Sequence, residues 1–199
     1  MISRTLAVAA AGLTLAALVP SPAAAAAPGT KSVHLRNGLT VKIPATWKVY
    51  KVAKDYTRVV TGACPTAGTR NFGYRDSGCR SFWVFGPAAI RVGHETFNAY
   101  EPSRPYSPAT DVGPCVYDKK LWMGSFKTKP VVKGYRLVGA GHNAHYREWK
   151  GSCMYGPPKY DFAGGFTQRE WYLPTSKILI VDQWKTPGLA SILRNSTWN

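Results

Sequence analysis

Residues 144–184 read AHYREWKGSCMYGPPKYDFAGGFTQREWYLPTSKILIVDQW, and the predicted fold is organised around them. It contains the tripeptide Arg-Glu-Trp twice, at residues 147–149 and 169–171, and ends in the apolar run 178–181. Aromatic and β-branched residues mark the strand-like runs, and a segment rich in glycine and proline separates the first two. The stretch therefore predicts three consecutive strands of an antiparallel sheet, with the rest of the chain packed around them.

The residues upstream predict further strands. Apolar residues alternate with polar ones across residues 33–43, and Asn37-Gly38 interrupts the alternation. Asn-Gly favours a two-residue type I′ hairpin, because that turn needs positive φ at both central positions. Similar runs, also predicted to be strands, occupy residues 47–52, 56–61, 81–88 and 121–126.

The C-terminal residues predict a short helix. Thr186 is expected as its N-cap and Pro187 at its first helical position, where a missing N–H costs nothing. Apolar residues at 189, 192 and 193 would share one face of that helix. The whole pattern predicts an α+β fold that is mainly β, with an antiparallel sheet and few helices.

The first 26 residues have the composition of a secretory signal peptide. Arg4 precedes an apolar run at residues 6–19, and alanines with Ala-x-Ala spacing follow. The alternative, a transmembrane anchor, needs about 20 apolar residues, and this run is shorter. We predict a cleaved leader at residues 1–26 and a single secreted domain at residues 27–199. This domain is expected to be monomeric, extracellular or associated with the cell wall, and without a transmembrane segment.

Four cysteines follow the leader, at positions 64, 79, 115 and 153. An even number in an exported chain predicts two disulfides. Three pairings are possible, and we favour Cys64–Cys79 with Cys115–Cys153, because each then closes a local loop. A zinc site is the alternative, but the chain has no Cys-x-x-Cys spacing and an oxidising compartment opposes it.

The chain is strongly basic, with 26 Lys and Arg against 10 Asp and Glu and a formal net charge of +16. Such a charge attracts anions, including wall polymers, acidic lipids, nucleic acid and acidic proteins. Specific nucleic-acid binding is not expected, because most tryptophans lie in strand-like runs that favour core packing. The predicted contact surface combines a proline-rich loop with a basic segment. Its residues are Tyr100, Tyr106, Lys119, Lys120, Lys127, Lys129, Lys133 and Arg136.

The two Arg-Glu-Trp copies suggest a catalytic alternative. If both copies lie in strands with their tryptophans toward the core, Glu148 and Glu170 could lie on one surface. Two carboxylates about 5–9 Å apart can hydrolyse a glycosidic bond, one as acid and the other as base or nucleophile. The competing interpretation is two solvated charges, each beside a basic neighbour.

His142 and His145 are the only close histidine pair. On a helix this spacing would converge on a metal, whereas on a strand the two rings face opposite ways. The segment enters a predicted strand, so we expect no metal site there. The chain has neither a Gly-x-Ser-x-Gly nucleophile motif nor a glycine-rich phosphate loop, and no cofactor is predicted.

Two parts of the chain resemble known proteins. The run Gly38-Leu-Thr-Val-Lys-Ile-Pro-Ala-Thr-Trp47 resembles the opening strand of PsbP-like domains. Residues 144–149, Cys153, residues 171–176 and the end of the chain from Thr186 are similar to uncharacterised secreted actinobacterial proteins. The resemblance implies a central antiparallel sheet with a few helices, in a non-catalytic binding or accessory module.

These observations favour a secreted, basic binding or accessory domain that contacts anionic envelope polymers or another exported protein. The alternative is an extracellular hydrolase of envelope or polysaccharide substrates that uses Glu148 and Glu170. A toxin or inhibitor directed at competitors is a third hypothesis, which rests only on a small, basic, exported chain.

Overall fold

Two antiparallel sheets hold the strands of this chain. A computed structural model describes residues 29–199, so the predicted leader at residues 1–26 lies outside the described residues. The strands in chain order are β1 (Thr30–Arg36), β2 (Leu39–Pro44), β3 (Lys48–Ala53), β4 (Tyr56–Val60), β5 (Ser81–Phe85), β6 (Trp122–Phe126), β7 (Val132–Leu137), β8 (Asn143–Met154), β9 (Phe162–Leu173), β10 (Ile178–Asp182) and β11 (Thr197–Trp198). Two short helices in the described part are α1 (Pro87–Arg91) and α2 (Leu189–Arg194). The predicted fold class, α+β and mainly β, is confirmed.

The predicted three-strand stretch forms β8, β9 and β10 of the large sheet. The order of that sheet is β3-β4-β5-β10-β9-β8, and the far edge of β8 pairs with both β7 and β6. β7 pairs with residues 143–148 of β8, and β6 pairs with residues 151–154. All five residues of β10 are buried. The apolar run at residues 178–181 is therefore an internal strand that is covered on both faces.

The small sheet, β1-β2-β11, covers one face of the large sheet together with α2. We call this the front face. Val41 and Ile43 of β2 and Leu193 of α2 are buried in the same core as Trp171 of β9. This packing explains the alternating pattern of β2, since its other residues point away from the core.

The turn between β1 and β2 is the predicted hairpin. Asn37 and Gly38 have φ angles of 46° and 88°, the positive values that a two-residue turn of this kind requires. Gly38 is also closely packed, because a Cβ there would lie 2.5 Å from the backbone oxygen of Asn199. The turn therefore sits against the last residue of the chain.

The opposite, back face is covered by α1 and by the proline-rich loop, which we define as residues 93–108. The backbone of the loop is tied to α1 by a 2.6 Å hydrogen bond from the Tyr100 N–H to the Ile90 carbonyl. Aromatic and aliphatic side chains from β5, α1, the loop and β10 form the back-face core: Trp83, Phe85, Ala89, Ile90, Tyr100, Tyr106, Leu179 and Val181. The loop is thus an ordered layer of the fold.

The positions of both helices differ from the sequence predictions. The aromatic run predicted as a strand over residues 81–88 ends as a strand at Phe85, and α1 begins at Pro87, because proline is tolerated in a first helical turn. The prediction of Thr186 as N-cap and Pro187 as first helical residue is wrong: Gly188 is the N-cap, with φ 72°, and α2 begins at Leu189. The Thr186 hydroxyl instead donates to Asp182 at 3.1 Å.

The favoured disulfide pairing is confirmed. Cys64 bonds to Cys79, and Cys115 bonds to Cys153. The second bridge joins the segment that follows the proline-rich loop to the end of β8. It lies in a separate buried cluster with Val116 and Phe166.

β8 and β9 extend together well beyond β10. Each has 12 residues, whereas β10 has five and pairs only with residues 169–173 of β9. The front-face core reaches Tyr146 and Trp171, which are paired across the two strands. The remaining part of the β8–β9 hairpin continues past that core, and the candidate site lies there.

Candidate anion-binding groove

A cavity of about 650 Å³ lies on the extended part of the β8–β9 hairpin. We call it the lysine groove. Residues from β6, β8, β9 and three connecting segments line it: Tyr117, Ser125, Phe126, Lys127, Lys150, Gly151, Ser152, Phe162, Gly165, Phe166, Thr167 and Lys185. Its volume is in the range of about 300–1,000 Å³ that is usual for small-ligand sites.

Two cross-strand pairs contribute polar groups and space to the groove. Lys150 is paired with Thr167, and its Nζ donates a 2.9 Å hydrogen bond to Thr167 Oγ1. Ser152 is paired with Gly165, which has no side chain to fill the cavity. A Cβ at Gly165 would approach the Gly151 carbonyl oxygen to 3.1 Å. A glycine in a strand often marks such a close approach.

The charged side chains of the groove are all positive. Lys127, Lys150 and Lys185 line it, and no Asp or Glu is among its described lining residues. All three lysines are exposed to solvent. Their ammonium groups can therefore reach a bound anion without a competing carboxylate in the cavity wall.

Aromatic rings form the apolar part of the groove. Phe166 is buried and packs against Phe126 and Tyr117, with ring centroids 5.4 and 6.3 Å apart. Phe162 is 72% exposed, which is unusual for a side chain of that size. The exposed rings of Phe162 and Tyr117 offer flat apolar surfaces to a ligand that also carries negative charge.

The sequence predicted only one residue of this groove, Lys127. Lys150 and Lys185 lie far apart in the chain, and their convergence depends on how the strands pair. The Gly164-Gly165 pair within a run otherwise suited to a strand was a usable signal, because it leaves room beside the strand.

The other predicted basic residues are exposed but do not line the groove. Lys119 and Lys120 lie in the turn before β6, Lys129 follows β6, and Lys133 is in β7. The Arg136 guanidinium lies 5.0 Å from the centre of the Tyr146 ring. Lys133 and Arg136 pair with Arg147 and Ala144, toward the end of β8 that lies away from the groove, so they do not extend it.

The prediction that Tyr100 and Tyr106 form a contact surface is wrong. Their relative exposures are 4% and 0%. Both rings pack in the back-face core, where the Tyr106 ring lies 4.6 Å from the Phe85 ring. The two tyrosines attach the loop to the sheet, and their rings are not accessible to a ligand.

Glu170 is fully buried on the back face and accepts four hydrogen bonds. The donors are the Tyr100 hydroxyl at 2.7 Å, the Tyr106 N–H at 2.7 Å, the Gln168 amide at 2.6 Å and the Trp149 indole at 3.1 Å. Burial raises the pKa of the Glu170 carboxyl, and the four hydrogen bonds oppose that rise. With no access to solvent, this carboxylate cannot take part in catalysis on an external substrate.

Glu148 lies on the other face of the sheet, so the expectation that both glutamates share one surface is wrong. Glu148 is paired with Arg169, and Glu170 with Arg147. Directly paired residues share a face and successive residues alternate, which separates the two carboxylates. Trp149 and Trp171 also lie on opposite faces, and both are buried because both faces are covered.

Glu148 is half-buried and accepts a hydrogen bond from the Tyr146 hydroxyl. It lines a cavity of about 250 Å³ together with Arg136, Trp171 and Arg194. No second carboxylate lines that cavity in the described part of the chain. The geometry that glycoside hydrolysis needs is therefore not formed by Glu148 and Glu170.

His142 and His145 have separate structural environments. The His142 ring stacks on Trp198, with centroids 3.9 Å apart and planes 10° apart. His145 contacts the ring of Tyr135 at 5.0 Å. Over residues 29–199, the one group of three potential metal ligands is Cys64, Asp76 and Cys79, whose sulfurs form a disulfide. The structure does not bring the histidine pair together with further ligands.

No protein-family model, curated protein or solved structure matches the chain. The resemblance to PsbP-like domains and to secreted actinobacterial proteins therefore stays a prediction. Neither described helix has the length and apolar character to cross a lipid bilayer.

Proposed function

We propose that this chain is a secreted binding or accessory domain that holds anionic polymers of the cell envelope in the lysine groove. One observation carries the proposal: three lysines and four aromatic rings line the groove, without a carboxylate among the described lining residues. The net charge of +16 would attract polyanions to the whole surface. The groove adds shape and a stacking surface at one place.

The small free energy of each exposed charged contact favours a polymer over a single small anion as the ligand. An exposed contact between a lysine and an anion contributes only about 0–1 kcal/mol. A monomeric ligand would therefore bind weakly in the groove. A polymer that meets several lysines at once gains from multivalency, because each further contact is intramolecular.

The expected location agrees with such a ligand. The leader predicted at residues 1–26 would export the chain, and the two disulfides are typical of an oxidising compartment. Anionic polymers are abundant at the outside of the cell envelope. An acidic exported protein is the other partner class, and it would contact the same lysines.

The charge of the groove can be tested with two double variants that remove equal charge. Lys127→Gln with Lys150→Gln should lower affinity for immobilised polygalacturonate about tenfold, as expected for two weak charged contacts. Lys42→Gln with Lys51→Gln removes two exposed lysines from strands outside the groove and should have much less effect. An equal loss in both double variants would indicate diffuse attraction and overturn the groove assignment.

A matched pair of substitutions tests the aromatic part of the groove. Phe162→Ala removes a 72% exposed ring that lines the groove, and Phe97→Ala removes a 79% exposed ring that does not. We expect only the first substitution to weaken polygalacturonate binding. An unchanged affinity in Phe162→Ala would remove stacking from the proposal.

The salt dependence of binding separates charge recognition from other modes. Raising the ionic strength from 0.1 to 1 M shortens the screening length from about 10 Å to about 3 Å. Retention on polygalacturonate should fall steeply over this range. Retention that is equal at both salt concentrations would contradict an anionic ligand.

A further inference from the structure

Four large aromatic side chains are exposed at the free end of the β8–β9 hairpin. We call this end the aromatic tip and define it as residues 155–162 together with Trp122, the first residue of β6. Its exposed rings are those of Trp122, Tyr155, Tyr160 and Phe162, with relative exposures of 37%, 51%, 55% and 72%. Single exposed apolar side chains are common on protein surfaces, whereas a group of them usually marks an interaction site.

The four rings belong to one patch. The centroids of the Trp122 and Tyr160 rings lie 6.1 Å apart, and a Cβ at Gly156 would lie 3.3 Å from the Trp122 indole nitrogen. Trp122 and Phe162 both pair with Met154 of β8, from its two sides. The fourth ring belongs to the residue that follows Met154 directly. The rings therefore occupy the same end of the molecule.

Covalent and hydrogen bonds hold the aromatic tip in place. The disulfide between Cys115 and Cys153 ties the last turn before β6 to the end of β8. The Cys115 N–H donates to the Leu121 carbonyl at 2.8 Å, and the Tyr155 N–H donates to the Asp161 carbonyl at 2.9 Å across the turn. The rings are thus presented before any ligand binds, which lowers the entropy cost of binding.

The residue types at the aromatic tip suit the interface between water and a lipid bilayer. Tryptophan and tyrosine each combine an apolar ring with one polar group, and both are enriched where headgroups meet hydrocarbon. The turn contains Pro157 and Pro158, which have no backbone N–H. Fewer backbone donors would therefore lose their water when the turn enters the lipid.

Lysines around the rings complement anionic lipid headgroups. Lys119 and Lys120 come just before β6, Lys159 lies in the turn itself, and all three are exposed. The exposed carboxylates in the same segments are those of Asp118 and Asp161, so one positive charge remains in excess. The net charge of +16 on the whole chain adds to this attraction. Basic side chains close to a membrane surface bind favourably to its anionic lipids.

We propose that the aromatic tip inserts into the headgroup interface of a bilayer that contains anionic phospholipids. The exposed rings enter between the headgroups, and the neighbouring lysines contact lipid phosphates. This lipid contact goes beyond the proposed binding of polymers and does not depend on it. Phe162 alone belongs to both the aromatic tip and the lining of the lysine groove, so it is left unchanged in the tests.

Two double variants test the rings of the aromatic tip. Tyr155→Asn with Tyr160→Asn removes two of them, and asparagine tolerates the φ of 51° at Tyr160. Phe97→Asn with Tyr135→Asn removes two rings outside the tip that are 79% and 65% exposed. Cosedimentation with vesicles of phosphatidylcholine and phosphatidylglycerol in equal parts measures the lipid affinity. The first double variant should lower it about tenfold, because two partly exposed rings no longer leave water, and the second should change it little.

Trp122 reports the contact directly, because it is the most exposed of the seven tryptophans. Lipids brominated near the headgroup end of their acyl chains quench indole fluorescence on contact. We expect vesicles that contain such lipids to quench the wild-type protein, and Trp122→Phe to lose most of this quenching. Equal quenching of both proteins would overturn insertion of the tip.

The outcomes separate lipid binding from the proposed function. The Tyr155→Asn with Tyr160→Asn variant should keep its affinity for polygalacturonate. No binding to the anionic vesicles at low salt, or an equal loss in both double variants, would overturn the proposal and leave the lysine groove intact. The same holds if Lys127→Gln with Lys150→Gln abolishes vesicle binding while the tip variant retains it, since the lipid would then meet the groove. If vesicles bind as expected and polygalacturonate does not, the proposed function fails and the tip assignment stands.

Discussion

The hydroxyl of Tyr100 donates a 2.7 Å hydrogen bond to Oε2 of Glu170, which lies 70 residues further along the chain. The N–H of Tyr106 donates to the other carboxylate oxygen, also at 2.7 Å. Both tyrosines belong to the proline-rich loop, and Glu170 belongs to β9. One buried carboxylate thus fixes this loop to the back face of the large sheet.

Loss of this carboxylate should destabilise the protein strongly. Glu170→Ala would leave four buried donors without an acceptor and should lower the free energy of unfolding by about 3–5 kcal/mol. Tyr100→Phe removes only one donor and should cost about 1–2 kcal/mol. Urea unfolding measures both, and Glu101→Ala, an exposed carboxylate of the same loop, is the control. A Glu170→Ala cost as small as that of Glu101→Ala would contradict this role.

Glu170 also predicts a pH dependence of stability. Burial raises the pKa of this carboxyl in the folded protein above the value of about 4.3 in an unfolded chain. The folded state therefore holds the proton more tightly, and the resulting stabilisation is complete below the unfolded pKa and is lost as pH rises through the folded pKa. The tyrosines that face Glu170, among them Tyr74 and Tyr100, do not titrate in this range, because burial raises their pKa values.

The measurement is the free energy of unfolding of the wild-type protein minus that of Glu170→Gln, which cannot ionise. This difference should be most favourable near pH 4 and should decline toward neutral pH, by at most about 1.4 kcal/mol per pH unit for one proton. A difference that grows as pH rises would show that the four hydrogen bonds lower the pKa below its unfolded value.

The two disulfides should contribute unequally to the free energy of unfolding. Loop-closure entropy predicts about 3 kcal/mol for Cys64–Cys79, which closes a separation of 15 residues, and about 4 kcal/mol for Cys115–Cys153, with a separation of 38. Replacing each pair by alanine and measuring urea unfolding tests this order. A larger loss from removing Cys64–Cys79 would mean that native contacts around that bridge outweigh the entropy of the loop.

Two ion pairs that differ in burial should contribute differently to the free energy of unfolding. Arg58 and Asp76 have side-chain exposures of 3% and 4%, and the Arg58 guanidinium also lies over the rings of Phe72 and Trp83. Arg58→Ala would leave Asp76 buried and unpaired and should cost about 3–5 kcal/mol.

The exposed pair provides the comparison. The Asp111 side chain is 77% exposed, so Arg75→Ala should leave the midpoint of urea unfolding almost unchanged. Arg58→Lys should also be destabilising, because a lysine cannot reproduce the planar guanidinium contacts. Equal losses in Arg58→Ala and Arg75→Ala would show that burial of the first pair contributes little.

Much of the fold could be predicted because its signals are local. The Asn37-Gly38 turn and the apolar run of β10 each depend on a few adjacent residues. The disulfide pairing followed from short separations along the chain. Strand ends were less predictable. The aromatic run that begins at residue 81 ends as a strand at Phe85, and α1 begins at Pro87, because the fixed φ of proline suits a first helical turn even though the residues before it favour a strand.

The candidate site could be predicted only in part, because it depends on strand register. Lys127 was in the predicted basic segment, but Lys150 and Lys185 join it only when β8 and β9 pair and extend past β10. The two glutamates illustrate the same limit. Their identical sequence context suggested a common surface, whereas a register that pairs Glu148 with Arg169 places them on opposite faces.

Neighbouring residues were enough to specify the strands of residues 144–184, the first hairpin, the cationic surface and a pairing of cysteines over short loops. Which side chains meet and which remain exposed depends on how distant segments pack. Tyr100 and Tyr106 are buried because their rings pack in the back-face core, where the Tyr100 hydroxyl and the Tyr106 N–H donate to Glu170. Phe162 is exposed because β9 continues beyond the core. Burial is set by packing between distant segments, and the residues of one strand do not specify which layer of the fold will cover each of its faces.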